Sequence, residues 1–140
     1  IRVDGQSMID TLHDADRLAV TIIDMKLNGP QRGQIVICTY PGADHYCVKR
    51  VVGMPGETIE IKNGVTYING EVFDEPYVEY ASMASMPAQV IGEDCYFVMG
   101  DNRANSLDSR DSRVGALPRD AFLGVAHLRL WPFDRIGTLD

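Results

Sequence analysis

Short runs of β-branched and apolar residues recur along the chain with turn residues between them: RLAVTII (17–23), QIVICTY (34–40), YCVKRVV (46–52), TIEI (58–61), VTYI (65–68), CYFVM (95–99) and AFLGVAHLRLW (121–131). Runs of this length, bounded by Gly, Pro, Asn and Asp, predict the strands of a mostly β domain. Asn63-Gly64 lies between TIEIK and VTYIN. Both central positions of a type I′ turn need φ > 0, so strands 58–62 and 65–69 should pair as a hairpin. No stretch sustains a helical period. Residues 8–14 are expected to form at most one short turn or helix.

A second hairpin is predicted around Pro41-Gly42-Ala43-Asp44. Centring the turn there pairs residues whose numbers sum to 85 (38 + 47), which sets Cys38 opposite Cys47. Alternation along 46–52 puts Cys47, Lys49 and Val51 on one face and Val48, Arg50 and Val52 on the other. Between Gly70 and Gly92 the alternation fades, and the sequence predicts a long loop over 70–92. The polar stretch GDNRANSLDSRDSRVG (100–115) follows directly on CYFVM and reads as a surface loop. If part of it is buried, its charges must pair with one another.

The 140 residues suit a single domain, 1–140, and contain no internal repeat. With 13 Lys+Arg against 20 Asp+Glu the net charge is −7, which offers no basic face and argues against a nucleic-acid partner. No run approaches the ~18 apolar residues of a spanning helix. The first residue is Ile1 and a strand-like run, IRVDGQSM, starts at once. A removed preceding segment is therefore expected. Cys38, Cys47 and Cys95 are too few for a disulfide scaffold and lack the CxxC spacing of a zinc site, so they read as small buried hydrophobes.

The residues suited to catalysis are few. His13, His45 and His127 are isolated, without metal-ligand spacing, and each reads as a surface or structural residue. A Ser-His-Asp triad stays open, because its members need not be neighbours in sequence. The other route to acyl transfer is a hydroxyl activated by a lysine: a Ser in a turn with a free backbone amide, and a Lys on an apolar strand. Ser7 follows Gly5-Gln6 at the end of an extended run, and Lys49 sits in YCVKRVVG. A solvated lysine, which gives up its proton only near pH ~10.4, is a poor base near neutrality, and only burial lowers that value enough. From these residues alone, a solvated Lys49 remains the plainer reading.

Three segments resemble the signature boxes of bacterial type I signal peptidases: GQSMIDTL (5–12), KRVVGMPGE (49–57) and MGDNRANSLDSR (99–110). The third is the most specific. The resemblance implies a mostly β fold of coiled antiparallel sheets with little helix. It also implies a serine endopeptidase that removes signal peptides from preproteins with a Ser-Lys dyad and no metal or other cofactor. Ser7 would be the nucleophile and Lys49 the general base. Ser106 would hydrogen-bond the lysine amine, and Asp108 and Arg110 would brace the site. The repeated DSRDSR leaves a second register, Ser109, Asp111 and Arg113, in competition with that trio.

Two positions depart from the family pattern. Asp10 stands where members commonly have Pro, and Gly5 stands where some members place a Ser hydroxyl in the oxyanion hole. The hole would then rest on the Ser7 amide and another donor. The implied partners are signal peptides with small residues at the −1 and −3 positions, taken up in shallow pockets that Val3, Gly5, Met8, Leu12 and Val48 would line. A second partner is the membrane surface on the extracytoplasmic side of the cell membrane, met by an exposed apolar rim of Ile1, Val3, Met8, Ile9 and Leu12. That location would permit a Cys38–Cys47 disulfide. Two rival readings are a self-cleaving repressor-type Ser-Lys peptidase and a signal-peptidase-like accessory of surface-fibre assembly.

Overall fold

Strands form at all seven of the apolar runs, as a computed structural model describing residues 1–139 shows. The order is β1 (Arg17–Thr21), α1 (Ile23–Asn28), β2 (Ile35–Thr39), β3 (Tyr46–Gly53), β4 (Thr58–Lys62), β5 (Val65–Ile68), β6 (Glu71–Val72) and β7 (Met86–Val90). There follow β8 (Cys95–Met99), β9 (Leu117–Pro118), β10 (Phe122–Trp131) and β11 (Gly137–Thr138). The larger sheet runs β1-β10-β2-β3-β8-β9, with β11 also on β10, and the smaller runs β6-β5-β4-β7. All pairings are antiparallel.

Both predicted hairpins form. Lys62 pairs with Val65 across Asn63 (φ 49°) and Gly64 (φ 84°), the two positive φ values that a type I′ turn demands. Gly64 is also required by contact, because a Cβ there would lie 1.8 Å from the Ser82 carbonyl oxygen. In the other hairpin Cys38 stands opposite Cys47. Both thiols are free, and burial raises the Cys38 pKa to about 12, which keeps it protonated and unreactive.

Two segments differ from expectation. The stretch 70–92 contains β6 and β7, and β7 pairs with β4. Only Met86 of β7 is buried, and its edge position tolerates Pro87, so neither alternation nor composition marks it as a strand. The run 17–23 stops as a strand at Thr21, and Ile23 begins α1. That helix buries Met25 alone and leaves Ile23 and Leu27 exposed, too little amphipathicity to be legible.

The core falls into three clusters. One, containing Val36, Cys38, Val51, Val98, Leu117 and Phe122, lies on one face of the larger sheet. A second joins the two sheets through Val52, Ile59, Ile61, Ile91, Phe97 and Met99. The third anchors the N-terminal segment, with Val3, Met8 and Leu12 packed on Leu18, Ile35 and Ala126. Val3, Met8 and Leu12 are 3%, 1% and 0% exposed. This corrects the expected apolar rim, for burying each of these side chains stabilises by roughly 1.5–3 kcal/mol, more than an exposed position offers. Of the five, only Ile1 is exposed, and Ile9 is half-buried. Large apolar side chains that do reach solvent include Tyr46, which shares a cavity lining with Ile1, and, on and after β10, Leu130, Trp131, Phe133 and Ile136.

Candidate active site

Ser7 sits in a turn tied down at both ends. Upstream, the Val3 amide donates to Asp16 and the Ala15 amide to the Val3 carbonyl, both at 2.7 Å. Downstream, the Leu12 amide donates to the Met8 carbonyl at 2.9 Å, and both side chains are sunk in the core. Asp16, itself buried, is held by Arg129 and Arg135. Gly5 has φ +93°, a conformation that disfavours any residue with a Cβ, so glycine at position 5 follows from the backbone.

Lys49 projects from the middle of β3 and is 5% exposed. Its Nζ donates to Ser7 Oγ at 2.7 Å. Burial holds its pKa below that of a free lysine and outweighs the opposing influence of Cys47 and Asp108, while Arg110 adds to the lowering. No carboxylate pairs with this amine among the described residues. The arrangement is a hydroxyl in contact with an amine poised to lose its proton, which suits nucleophilic catalysis.

The stretch 100–115 is not simply a surface loop, since Asp101, Asn102, Arg103, Asp108 and Ser109 are all buried. Asp108 accepts from the Gly100 amide at 2.9 Å, from Ser106 Oγ at 2.7 Å and from Arg110 Nε and Nη2 at 2.8 and 2.9 Å. Ser106 lines the same cavity as Ser7 and Lys49. Its proton goes to Asp108, and no hydrogen bond joins it to Lys49 among the described residues. Of the rival register, Arg113 lines that cavity and Ser109 and Asp111 do not. Ser109 Oγ accepts from the Val98 amide on β8, and Asp111 and Arg113 form an exposed pair in which the arginine holds the Asp111 pKa down at about 2.

Several further residues of the site lie within the three boxes, but their roles depend on distant partners that the sequence does not show. Gly100 is one: a Cβ there would lie 2.2 Å from Ser106 Oγ and 2.5 Å from the Ser7 carbonyl oxygen. Arg50 forms a buried bidentate pair with Asp101 at 2.9 and 2.7 Å and stacks 3.9 Å above the Tyr77 ring. Thr11 Oγ1 donates to the same carboxylate at 2.6 Å. Arg103 pairs with Glu75 and donates to the Gly100 carbonyl. Asn102 donates through its backbone amide to the Ser7 carbonyl at 2.8 Å and through Nδ2 to the Gln6 carbonyl at 3.0 Å.

Two cavities flank the Ser7–Lys49 contact. One, of about 450 Å³, is lined by Ile1, Val3, Met8 and Val48. The other, of about 510 Å³, is lined by Gly5, Tyr40, Ser106 and Leu107. Leu12 reaches neither, being fully buried beneath Met8. His13 and His127 lie apart beside Asp10 and Asp24, while His45, beside Asp44, lines both cavities that flank the Ser7–Lys49 contact. Among the described residues no group of three His, Cys, Asp or Glu side chains is placed to hold a metal ion.

The profile of the family described as "signal peptidase, peptidase S26" matches residues 1–131. Signal peptidase I of Bacillus amyloliquefaciens is 37% identical over 144 residues, spanning 96% of this chain and 76% of that protein. Signal peptidase IB of Staphylococcus aureus strain N315 is 37% identical over 149 residues, 94% of this chain and 76% of that protein. Among solved structures, the crystal structure of a signal peptidase I from Enterococcus faecalis V583 aligns with a TM-score of 0.59 and 31% identity. The alignment covers 69% of this chain and 95% of that one.

Proposed function

The chain belongs to the signal peptidase family, peptidase S26, and from that premise we propose that Ser7 and Lys49 are the nucleophile and general base with which it removes signal peptides from exported preproteins. The observation that carries the reading is the 2.7 Å contact between Lys49 Nζ and Ser7 Oγ, made by a lysine that burial favours as a neutral amine.

In the neutral state the hydrogen bond reverses, and the Ser7 hydroxyl donates to the Nζ lone pair. As the Ser7 oxygen attacks the scissile carbonyl carbon, its proton passes to Lys49. The Ser7 amide, which donates to no protein acceptor among the described residues, is free to take the developing oxyanion. Lys49 then returns the proton to the departing amine of the mature protein and leaves an acyl-enzyme. A water that gives its proton to the same amine hydrolyses that ester. Ser106, whose own proton is committed to Asp108, has lone pairs to offer the ammonium as it forms.

The cavity walled by Ile1, Val3, Met8 and Val48 suits small apolar side chains before the scissile bond. For membrane contact we assign the exposed apolar side chains Ile1, Leu130, Trp131, Phe133 and Ile136. Trp131 and Phe133 stack edge to face at 4.6 Å with Phe133 74% exposed, and such rings suit the headgroup region. In this reading the domain works on the extracytoplasmic side of the cell membrane. No helix of the described residues is long and apolar enough to cross a membrane.

Cleavage of a preprotein supplied in trans, abolished by Ser7→Ala, is the expected result; Ser7→Ala that still cleaves would overturn the dyad. The signal peptidases among its relatives favour this reading over a self-cleaving repressor, which would cut itself and nothing in trans. Both dyad residues stand in contact, which favours an enzyme over an inactive accessory of surface-fibre assembly.

A further inference from the structure

We infer that Asn102 is a positioning residue that aims the Ser7 amide into the groove, where it binds the oxyanion; this rests on the reading of Ser7 as the nucleophile. In a trans peptide unit the carbonyl and the N–H point in opposite directions, and the 6–7 peptide is trans. Fixing the Gln6 carbonyl therefore fixes the Ser7 N–H. Asn102 Nδ2 lies 3.0 Å from the Gln6 oxygen, and because a carbonyl can only accept, the atom facing it must be the amide nitrogen. A longer bond from the Ile9 amide, at 3.3 Å, is the other hold on that oxygen. The Asn102 backbone amide also takes the Ser7 carbonyl at 2.8 Å, so one residue clamps the peptide units on both sides of the Ser7 Cα.

Burial and the identity of residue 5 make this clamp matter. Asn102 is 5% exposed, so its side chain is held in place and water does not replace it freely. Position 5 is a glycine, without a hydroxyl to share the oxyanion, so more of the stabilisation falls on the Ser7 amide. The clamp acts on charge that develops only during the reaction and leaves the ground-state cavities untouched. Its loss should appear in turnover and in tetrahedral adducts, with little effect on substrate binding.

The test compares Asn102→Ala, which keeps the backbone donor, and Asn102→Asp, which keeps the volume and turns an oxygen towards the Gln6 carbonyl. Each is assayed for kcat and KM on a preprotein. Each is also titrated with a peptide aldehyde, which forms a hemiacetal with Ser7, and with the matching peptide alcohol, which cannot. The ratio of the two inhibition constants is independent of how much of a variant is folded. Loss of an oxyanion donor costs about 10²-fold in turnover. We expect a fall of that order in kcat and an equal loss of the aldehyde's advantage over the alcohol, with KM and alcohol affinity near wild type. An aldehyde advantage that survives in both variants overturns the inference, whatever happens to kcat. Ser7→Ala in the same assay keeps the two questions apart: if it cleaves, the nucleophile assignment is at fault, and if it is inactive while the Asn102 variants turn over normally, only the clamp is.

Discussion

Lys49 Nζ lies 2.7 Å from Ser7 Oγ across a separation of 42 residues, and the lysine is all but withdrawn from solvent. The contact is made by a turn with no strand of its own and a strand in the middle of the larger sheet. What brings them together is the stretch 100–110, which touches both.

The first expectation concerns pH. With Lys49 buried among Cys47, Asp108 and Arg110, activity should climb along an acid limb whose midpoint lies below the pKa of free lysine. Lys49→Arg should be inactive, since a guanidinium does not deprotonate in this range. The sign for stability follows from the same shift. The folded state binds the proton less readily than the unfolded chain, so wild type is penalised below the folded pKa and relieved as pH approaches the free-lysine value of ~10.4. Lys49→Met should therefore raise the unfolding midpoint most at acid to neutral pH. A gain independent of pH would show the amine to be well solvated, and one that grew with pH would show its pKa to be raised by folding.

Gly100 should tolerate no side chain. The methyl of Gly100→Ala would need space now held by the Ser7 carbonyl and by Ser106, at 2.5 and 2.2 Å, and backbone atoms do not yield as a flexible side chain would. A displacement of about 1 Å in a reacting group costs on the order of 10²-fold in rate. Preprotein cleavage should fall by about that factor, and retention of more than about a tenth of the wild-type kcat would mean that the Ser7 turn is looser than its contacts imply.

The two DSR registers separate by stability. Asp108→Ala leaves the Arg110 guanidinium, the Gly100 amide and the Ser106 hydroxyl without their shared acceptor, and breaking a buried pair in this way costs about 3–5 kcal/mol. Denaturant unfolding should register most of that loss. Asp111→Ala removes an exposed partner of Arg113, and its unfolding curve should overlay the wild type. Equal losses in the two variants would contradict the buried role of Asp108.

Membrane contact should run through aromatic rings. We expect co-sedimentation with zwitterionic vesicles to be lost in Phe133→Glu and in Trp131→Glu and kept in Ile9→Glu. The net charge of −7 predicts weaker binding to anionic vesicles. Equal binding by all three variants would place the contact elsewhere.

Seven strands and both hairpins are legible as short apolar runs between turn residues. Of these, β2, β3 and β8 are near-continuous because both their faces are buried, while one-sided burial gives a strand such as β4 a period of two. That period is missing from β7, where only Met86 is buried, and no helical period marks α1, where only Met25 is. Val3, Met8 and Leu12 read as a rim because apolarity says that a side chain avoids water without saying whether core or lipid receives it. The dyad residues stand out only through the likeness of their surroundings to known boxes, since a lysine in a strand is ordinarily solvated. Pairs such as Arg50–Asp101 and Arg103–Glu75 bridge 51 and 28 residues and leave no local trace. Their partners become visible only when the turn, the strand and the loop are seen together.

The Arg50–Asp101 pair constrains how this sequence can drift. Arg50 donates to both oxygens of Asp101 and to the Gly33 carbonyl, and Asp101 also takes the Thr11 hydroxyl, with the arginine and aspartate side chains 7% and 0% exposed. Changing either charge alone strands the other in a dry interior, while replacing both with apolar groups of matching shape can be neutral. Mutational paths through this site therefore have a valley at every single step and level ground only at the double. Among diverging copies of the gene, positions 50 and 101 should change together or stay fixed, and Thr11, which depends on that carboxylate, should follow them.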